Sequence, residues 1–300
     1  MARRARRASL IALCALACAA ALPSAAGAVV TGIADNTTSM FSDPSFGALH
    51  VHEVRVGVDW DVAVNPALGG DLQYAAEWLG AAARAHVKPL VTFGEKPSRY
   101  YIPSVGQYTR AVRAFIRMFP QVKRFAPWNE PDWVYRPRLA GRPKLAAAYF
   151  NALDRNCNHC TVLAGELYIG AGSLGRWLRT YIKGLRYRPS GWALHNYFDV
   201  RGHTTSQLRA MLSLTHGPIW LDEISGVERR LHWPFPMNQS VQAAAGDERF
   251  LFSLPRRFHR VSRIYHYQWR AIPTAGWDSG LLFPDGSPRP AYYVVARAGR

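Results

Sequence analysis

The 300 residues hold only four cysteines, and no second CxxC or any HxxxH accompanies Cys157-Asn158-His159-Cys160. A four-ligand structural zinc site therefore lacks half its donors. Acidic residues are also few, 20 against 37 lysines and arginines, for a formal charge of +17. Such a field favours anionic partners, acidic polysaccharide and lipid headgroups among them. The basic residues are dispersed and mostly arginine. No basic block is interleaved with aromatics, which argues against a nucleic-acid partner. No Gly/Ser linker or low-complexity run marks a second module. A Gly-rich phosphate turn is missing as well. Thr31-Gly32-Ile33-Ala34-Asp35-Asn36, after the first strand-like run, is not one, which removes the usual sign of a dinucleotide-binding open sheet. No His-x-His pair follows that run either. His50-Val51-His52 precedes the second run, at the wrong end for a metal-dependent hydrolase. Neither a metal nor an organic cofactor is expected.

What is present begins with a leader. Arg3, Arg4, Arg6 and Arg7 precede an apolar run from Ala8 to Leu22, then Pro23 and the small residues Ser24 to Ala28. Charge, a short apolar core and a small-residue site, in that order, are the layout of a secretory signal. The run falls short of the roughly 20 apolar residues that a membrane helix needs. Cleavage between Ala25 and Val29 is expected rather than stable membrane insertion, with 1–28 removed and 29–300 secreted as one domain. The leader takes with it four arginines, leaving about +13, and two cysteines, Cys14 and Cys18. The spacing of Cys157 and Cys160 suits a redox motif or a small-loop disulfide. In an oxidising compartment the expectation is a disulfide that staples one surface loop.

About 270 residues with 49% apolar content can build one sizeable core. Short β-branched or apolar runs occur at Val29–Ile33, Glu53–Val58, Lys88–Phe93, Val122–Ala126, Thr161–Ala164, Gly191–Leu194, Pro218–Leu221 and Arg263–Tyr267. Several recur at intervals of roughly thirty residues, the length of one βα unit. Helical periodicity fills the gaps. Leu174, Trp177, Leu178, Tyr181, Ile182 and Leu185 form one apolar stripe, as do Tyr108, Val112, Phe115, Ile116 and Phe119 before Pro120. Pro143 suits the first turn of a helix over Lys144–Asn156. Eight alternating units predict an α/β fold, a single (β/α)₈ barrel.

In such a barrel reactive groups gather at the carboxyl ends of the strands. Reading each run to its end collects Asp35 and Asn36; Asp59, Trp60 and Asp61; Glu95; Trp128, Asn129 and Glu130; Glu166; His195, Asn196 and Tyr197; Asp222 and Glu223; and Trp269. Caps for following helices account for Asp35 and Asp61, and Glu95 and Glu166 read as structural in preference to substrate contacts. Two segments stand out: Trp128-Asn129-Glu130-Pro131, and Ile219-Trp220-Leu221-Asp222-Glu223, three units further round the ring. In this the chain resembles the clan of retaining (β/α)₈ glycoside hydrolases that includes cellulases, β-mannanases, xylanases and β-xylosidases. The resemblance spans nearly the whole mature chain. It takes in Arg55, the sixth-strand His195-Asn196-Tyr197, Trp269, and the closing stretch from Gly280 to Tyr292.

The resemblance implies a double displacement, with Glu130 as acid/base and Glu223 as nucleophile. Arg55 would favour the charged form of Glu223, and Tyr197 would donate to the same carboxylate. Asn129 would bond the sugar 2-hydroxyl, and His195 would add a polar contact. Strand alternation lets only one of Asp222 and Glu223 face the pocket, and the family register selects Glu223. Trp269 is the implied sugar platform, with Trp60, Trp133, Trp233 and Trp277 as loop candidates. The partner would be an oligo- or polysaccharide, acidic glycans included. Short βα loops predict an open groove suited to endo-action, walled on one side by Ser225–Gln239. A silent sugar-binding barrel and a transglycosidase use the same side chains and stay open.

Overall fold

The computed structural model describes residues 29–95, 101–133, 137–168, 170–231 and 236–299; the expected leader and Trp233 lie outside them. The chain runs through β1 (Val30–Ala34), β2 (Glu53–Asp59), β3 (Lys88–Gly94), β4 (Arg124–Ala126), β5 (Thr161–Leu167), β6 (Gly191–Leu194), β7 (Ile219–Ile224), β8 (Arg229–Arg230), β9 (Met237–Asn238), β10 (Val261–Tyr267) and β11 (Trp277–Asp278). Strands β1 to β7 and β10 pair in parallel and close on themselves, β10 lying between β7 and β1. This is a (β/α)₈ barrel, and each predicted run falls on one of its strands.

Helices cover the outside for the reasons their periodicity gives. On Ala171–Gly184 the residues Leu174, Trp177, Leu178 and Tyr181 are buried, and on Val105–Met118 so are Tyr108, Val112 and Phe115. Ser104 and Gln107 cap the latter reciprocally, satisfying two orphan backbone donors. Pro143 opens Pro143–Asn156, where its missing N–H costs nothing. The chain then turns through the Cys157–Cys160 disulfide into β5. Among the described residues no helix is long and apolar enough to cross a membrane.

Inside the barrel Ala34, Leu90, Ala126, Leu163, Ala193, Trp220 and Tyr265 pack as one layer. Gly32 is required there, because a Cβ would meet the Tyr265 ring at 2.6 Å. Below this layer Glu53 closes the floor, accepting from Tyr265 Oη at 2.6 Å and Arg263 Nε at 2.9 Å and pairing with Arg124 at 2.7 Å. The two-residue period of β2 carries Arg55 on the same inward face as Glu53, one step nearer the carboxyl ends of the strands.

Of the three register shifts among the described residues of the barrel, one in β10 at Ser262 lies near its start, and the other two shape the site. In β7, Leu221 pairs with Ile264 but Ile224 with His266, so β7 holds one extra residue over Asp222–Glu223. In β5, Gly165 and Leu167 pair with Ala193 and Leu194, leaving Glu166 as the extra one, at φ 54°. Bulges re-aim side chains, and both of these turn carboxylates toward Arg55.

Candidate active site

The carboxyl ends of the strands surround a cleft of about 760 Å³ lined by Arg55, Asn129, Glu130, Trp133, Tyr168, Tyr197, Glu223, Tyr267 and Trp277, among others. Its floor is organised by Arg55, which is almost wholly buried. Arg55 donates through Nη1 to Glu223 at 2.8 Å, through Nη2 to Asn129 at 2.7 Å, and through Nε to Glu166 at 3.1 Å. Asp222 lies 3.6 Å from Nε. Tyr197 Oη donates to Glu223 at 3.5 Å from the side opposite Arg55's strand, β2. Across the floor Glu130, at φ 45°, accepts from His195 Nδ1 at 3.0 Å. The other nitrogen of His195 faces Asp222 at 3.5 Å.

The charges of this cluster support one another. Burial alone would lower the pKa of Arg55, but Glu166, Glu223 and Asp222 outweigh it and hold the guanidinium charged. Burial would likewise neutralise His195, yet Glu223, Asp222 and Glu130 push it well above the ordinary histidine range. Glu166 goes the other way. Burial raises it far above the usual carboxylate range despite Arg55, so it keeps a proton to share with Asp222. Asp222 is held low against its burial by His195 and Arg55. Tyr197 is raised by burial and by Glu223, so its phenol remains a donor. Two sets of donor atoms lie within 4.8 Å of one another, Glu130, His195 and Glu223, and Glu166, His195 and Asp222. Both sets share His195, whose Nδ1 is engaged by Glu130.

The structure thus brings together Arg55, Asn129, Glu130, His195, Tyr197 and Glu223, and corrects four expectations. Asp222 and Glu223 both point inward, because the β7 bulge breaks the alternation that would have separated them. His195 is fully buried behind Glu130 and does not line the cleft. Trp269 is 1% exposed, packed edge-on against Phe46 and Tyr292, and its backbone N–H donates to Asp35. Trp60 is buried against Tyr101, outside the cleft lining. The aromatic walls are instead Trp133, Tyr168, Tyr267 and Trp277.

Sequence reasoning passed over Tyr168, Arg230 and Tyr267. Tyr267 was within reach, since Tyr265 faces the barrel interior and the two-residue period puts Tyr267 on the same face, above it. Tyr168 follows the β5 bulge, beyond where an unbulged strand would end. Arg230 sits in the Ser225–Gln239 stretch, whose β8 and β9 join β11 in a small antiparallel sheet beside the cleft. Glu95 lines the cleft, whereas Glu166 is buried beneath it.

No family model matches the chain, and no curated protein matches it in sequence. Solved structures match it in fold. An endo-β-1,3-glucanase of family GH128 (subgroup I) from Amycolatopsis mediterranei, in complex with laminaripentaose, gives a TM-score of 0.60 at 17% identity, covering 90% of this chain and 100% of its own. A GH113 β-1,4-mannanase gives 0.62 at 10% identity, over 90% and 98% of the two chains. A GH10 structure from Paenibacillus barcinonensis gives 0.58 at 11%, over 90% and 94%. The chain shares with these proteins the closed eight-stranded parallel barrel.

Proposed function

We propose that the protein is a retaining O-glycoside hydrolase, with Glu223 as nucleophile and Glu130 as acid/base. The observation that carries this reading is the proximity of the two side chains, one oxygen of each lying within 4.8 Å of the other across the cleft floor. Retaining enzymes hold the two carboxyl groups about 5–5.5 Å apart, and inverting ones leave about 6.5–9.5 Å for a water. The surroundings divide the labour. Arg55 and Tyr197 fix Glu223 in a charged, oriented state suited to attack on an anomeric carbon. Asn129, its Oδ1 tied to Arg55, presents its amide for a sugar hydroxyl.

The proton for the leaving oxygen is stored on His195. Transfer of the Nδ1 proton along the 3.0 Å hydrogen bond makes Glu130 a neutral acid and leaves the Nε2–H 3.5 Å from Asp222. Glu130 then protonates the glycosidic oxygen as Glu223 forms the covalent intermediate. As a carboxylate, Glu130 next takes a proton from the incoming water. The open cleft admits water freely, which favours hydrolysis over transfer to a second sugar. A silent binder has no need of a nucleophile held by both Arg55 and Tyr197.

The cleft has room for several sugar rings between Trp133, Tyr267 and Trp277, which supports internal cleavage of a β-linked chain. The leader at 1–28 would export the enzyme, and the N-terminal sequence of secreted protein would begin between residues 26 and 29. Proton NMR of the first product formed tests the mechanism. Initial release of the substrate's own anomer is expected, and initial release of the opposite anomer would refute the double displacement.

A further inference from the structure

Among the described residues three cations line the cleft, and two of them are paired with acids. Arg55 is held by Glu166 and Glu223, and Arg270 by Asp43 at 2.6 Å. Arg230 is the third. It is 8% exposed, and among the described residues no carboxylate pairs with it. Its charge is met only by the Tyr168 hydroxyl and two aromatic faces, and none of its N–H groups is both sealed from solvent and unpartnered, so its free edge opens on the cleft where an anionic ligand can reach it.

The side chain is held in one pose. Nη1 donates to Tyr168 Oη at 2.7 Å, and the guanidinium lies 5.4 Å from the Trp277 ring centre and 5.9 Å from that of Tyr168. This uses one edge of the fork. Nε and Nη2 donate to no group among the described residues, and together they offer two parallel N–H bonds, the geometry that grips a carboxylate in bidentate fashion. The place is next to the reacting centre. Trp277 packs edge-on against Tyr197 at 5.1 Å, and Tyr197 donates to Glu223. Tyr168, which anchors Arg230, is pushed up to about 12 by burial and by the charge of Glu130, with Glu223 contributing.

We propose that Arg230 binds the carboxylate of a uronic acid residue lying over Trp277, so that the substrate is an acidic glycan. The proposal rests on the glycosidase reading above and names its substrate class. The ring of such a sugar would lie on an indole while its carboxylate met the Nε–Nη2 edge. A sulfate ester presents a similar pair of oxygens, and the test separates the two.

The test titrates the protein with three probes, read by calorimetry and by tryptophan fluorescence. They are an oligoglucuronate, the same oligosaccharide after reduction of its carboxyl groups, and a sulfated counterpart of the reduced form. The acidic form is expected to bind at least about tenfold more tightly than the reduced form. Arg230→Gln should bring that ratio close to one, and Arg230→Lys, a point charge without a fork, should leave it in between. Should Arg230→Gln not fold, the ionic-strength dependence of the wild type replaces it. Affinity for the acidic probe must then fall with salt while that for the reduced probe does not. Equal binding of acidic and reduced probes, a ratio unchanged in Arg230→Gln, or a preference for the sulfated probe overturns the proposal. Hydrolysis of the same probes keeps the two readings apart. Cleavage of reduced chains with no acidic preference defeats the uronate site alone. Tight acidic binding without cleavage of any probe defeats the glycosidase reading alone.

Discussion

Nδ1 of His195 donates to Oε1 of Glu130 at 3.0 Å across 65 positions of sequence, and three carboxylates keep that imidazole charged. The ring is therefore the proton reservoir of the acid/base. Because its pKa is raised, activity should hold through neutral pH and decline on an alkaline limb well above 6.5, the ordinary histidine value. His195→Gln should lower kcat by about 10- to 100-fold and abolish that limb. A kcat–pH profile whose alkaline limb is identical in the variant would remove His195 from the proton path.

The same shifts act on stability. His195 and Glu166 both have raised pKa values in the fold, so the native state holds their protons longer than the unfolded chain does. Their contributions are complete below the unfolded values and are lost as pH rises, from about 4.5 upward for Glu166 and about 6.5 upward for His195. Each unit of difference is worth about 1.4 kcal/mol. Melting temperature should fall between pH 5 and pH 9, and Glu166→Gln, an uncharged amide in place of the neutral acid, should flatten the first part of the decline. A melting temperature that climbs throughout this range contradicts the assignment.

Arg55 is the only cation that Glu166 and Glu223 both contact among the described residues. Arg55→Met removes the cation paired with Glu223 and leaves Asp222 with His195 alone, at a cost of about 3–5 kcal/mol in chemical denaturation. Arg55→Lys should recover little, because one ammonium cannot reach Glu166, Asn129 and Glu223 together. Full stability in Arg55→Lys would show that the fork geometry is dispensable.

Two tryptophans separate packing from binding. Trp269→Ala opens a hole between Phe46 and Tyr292 and should cost about 3–5 kcal/mol of stability. Trp277→Ala removes a cleft wall and should raise KM by about tenfold with a smaller loss of stability. The reverse pattern in melting and steady-state kinetics would restore Trp269 as the sugar platform.

How far the sequence could be read follows from this distinction. Strand positions were legible because alternation of apolar runs and helical stripes is local. Glu130 and Glu223 were singled out by the resemblance of Trp128-Asn129-Glu130-Pro131 and of the seventh-strand Trp220 to Glu223 segment to the glycoside hydrolase clan, and the fold sets both on the cleft. The bulges at Glu166 and Asp222–Glu223 were not, since an extra residue in a strand leaves no mark in composition. They alone let Asp222 join Glu223 beneath the cleft. Trp269 misled because the chain leaves β10 at Tyr267, after which strand parity no longer says where a side chain points. Arg230 lay in an insertion without periodicity, where only the paired strands β8 and β11 reveal its neighbours.

Attack by Glu223 with assistance from Glu130 makes release of reducing ends depend on the Glu223 carboxylate. Wild type and Glu223→Gln would be incubated with β-1,3-glucan, β-mannan, xylan and uronate-containing glycans. The wild type should release reducing ends from at least one of these glycans, and release should fall by about 10³-fold or more in the variant while the fold is retained. Equal release by both proteins would contradict it.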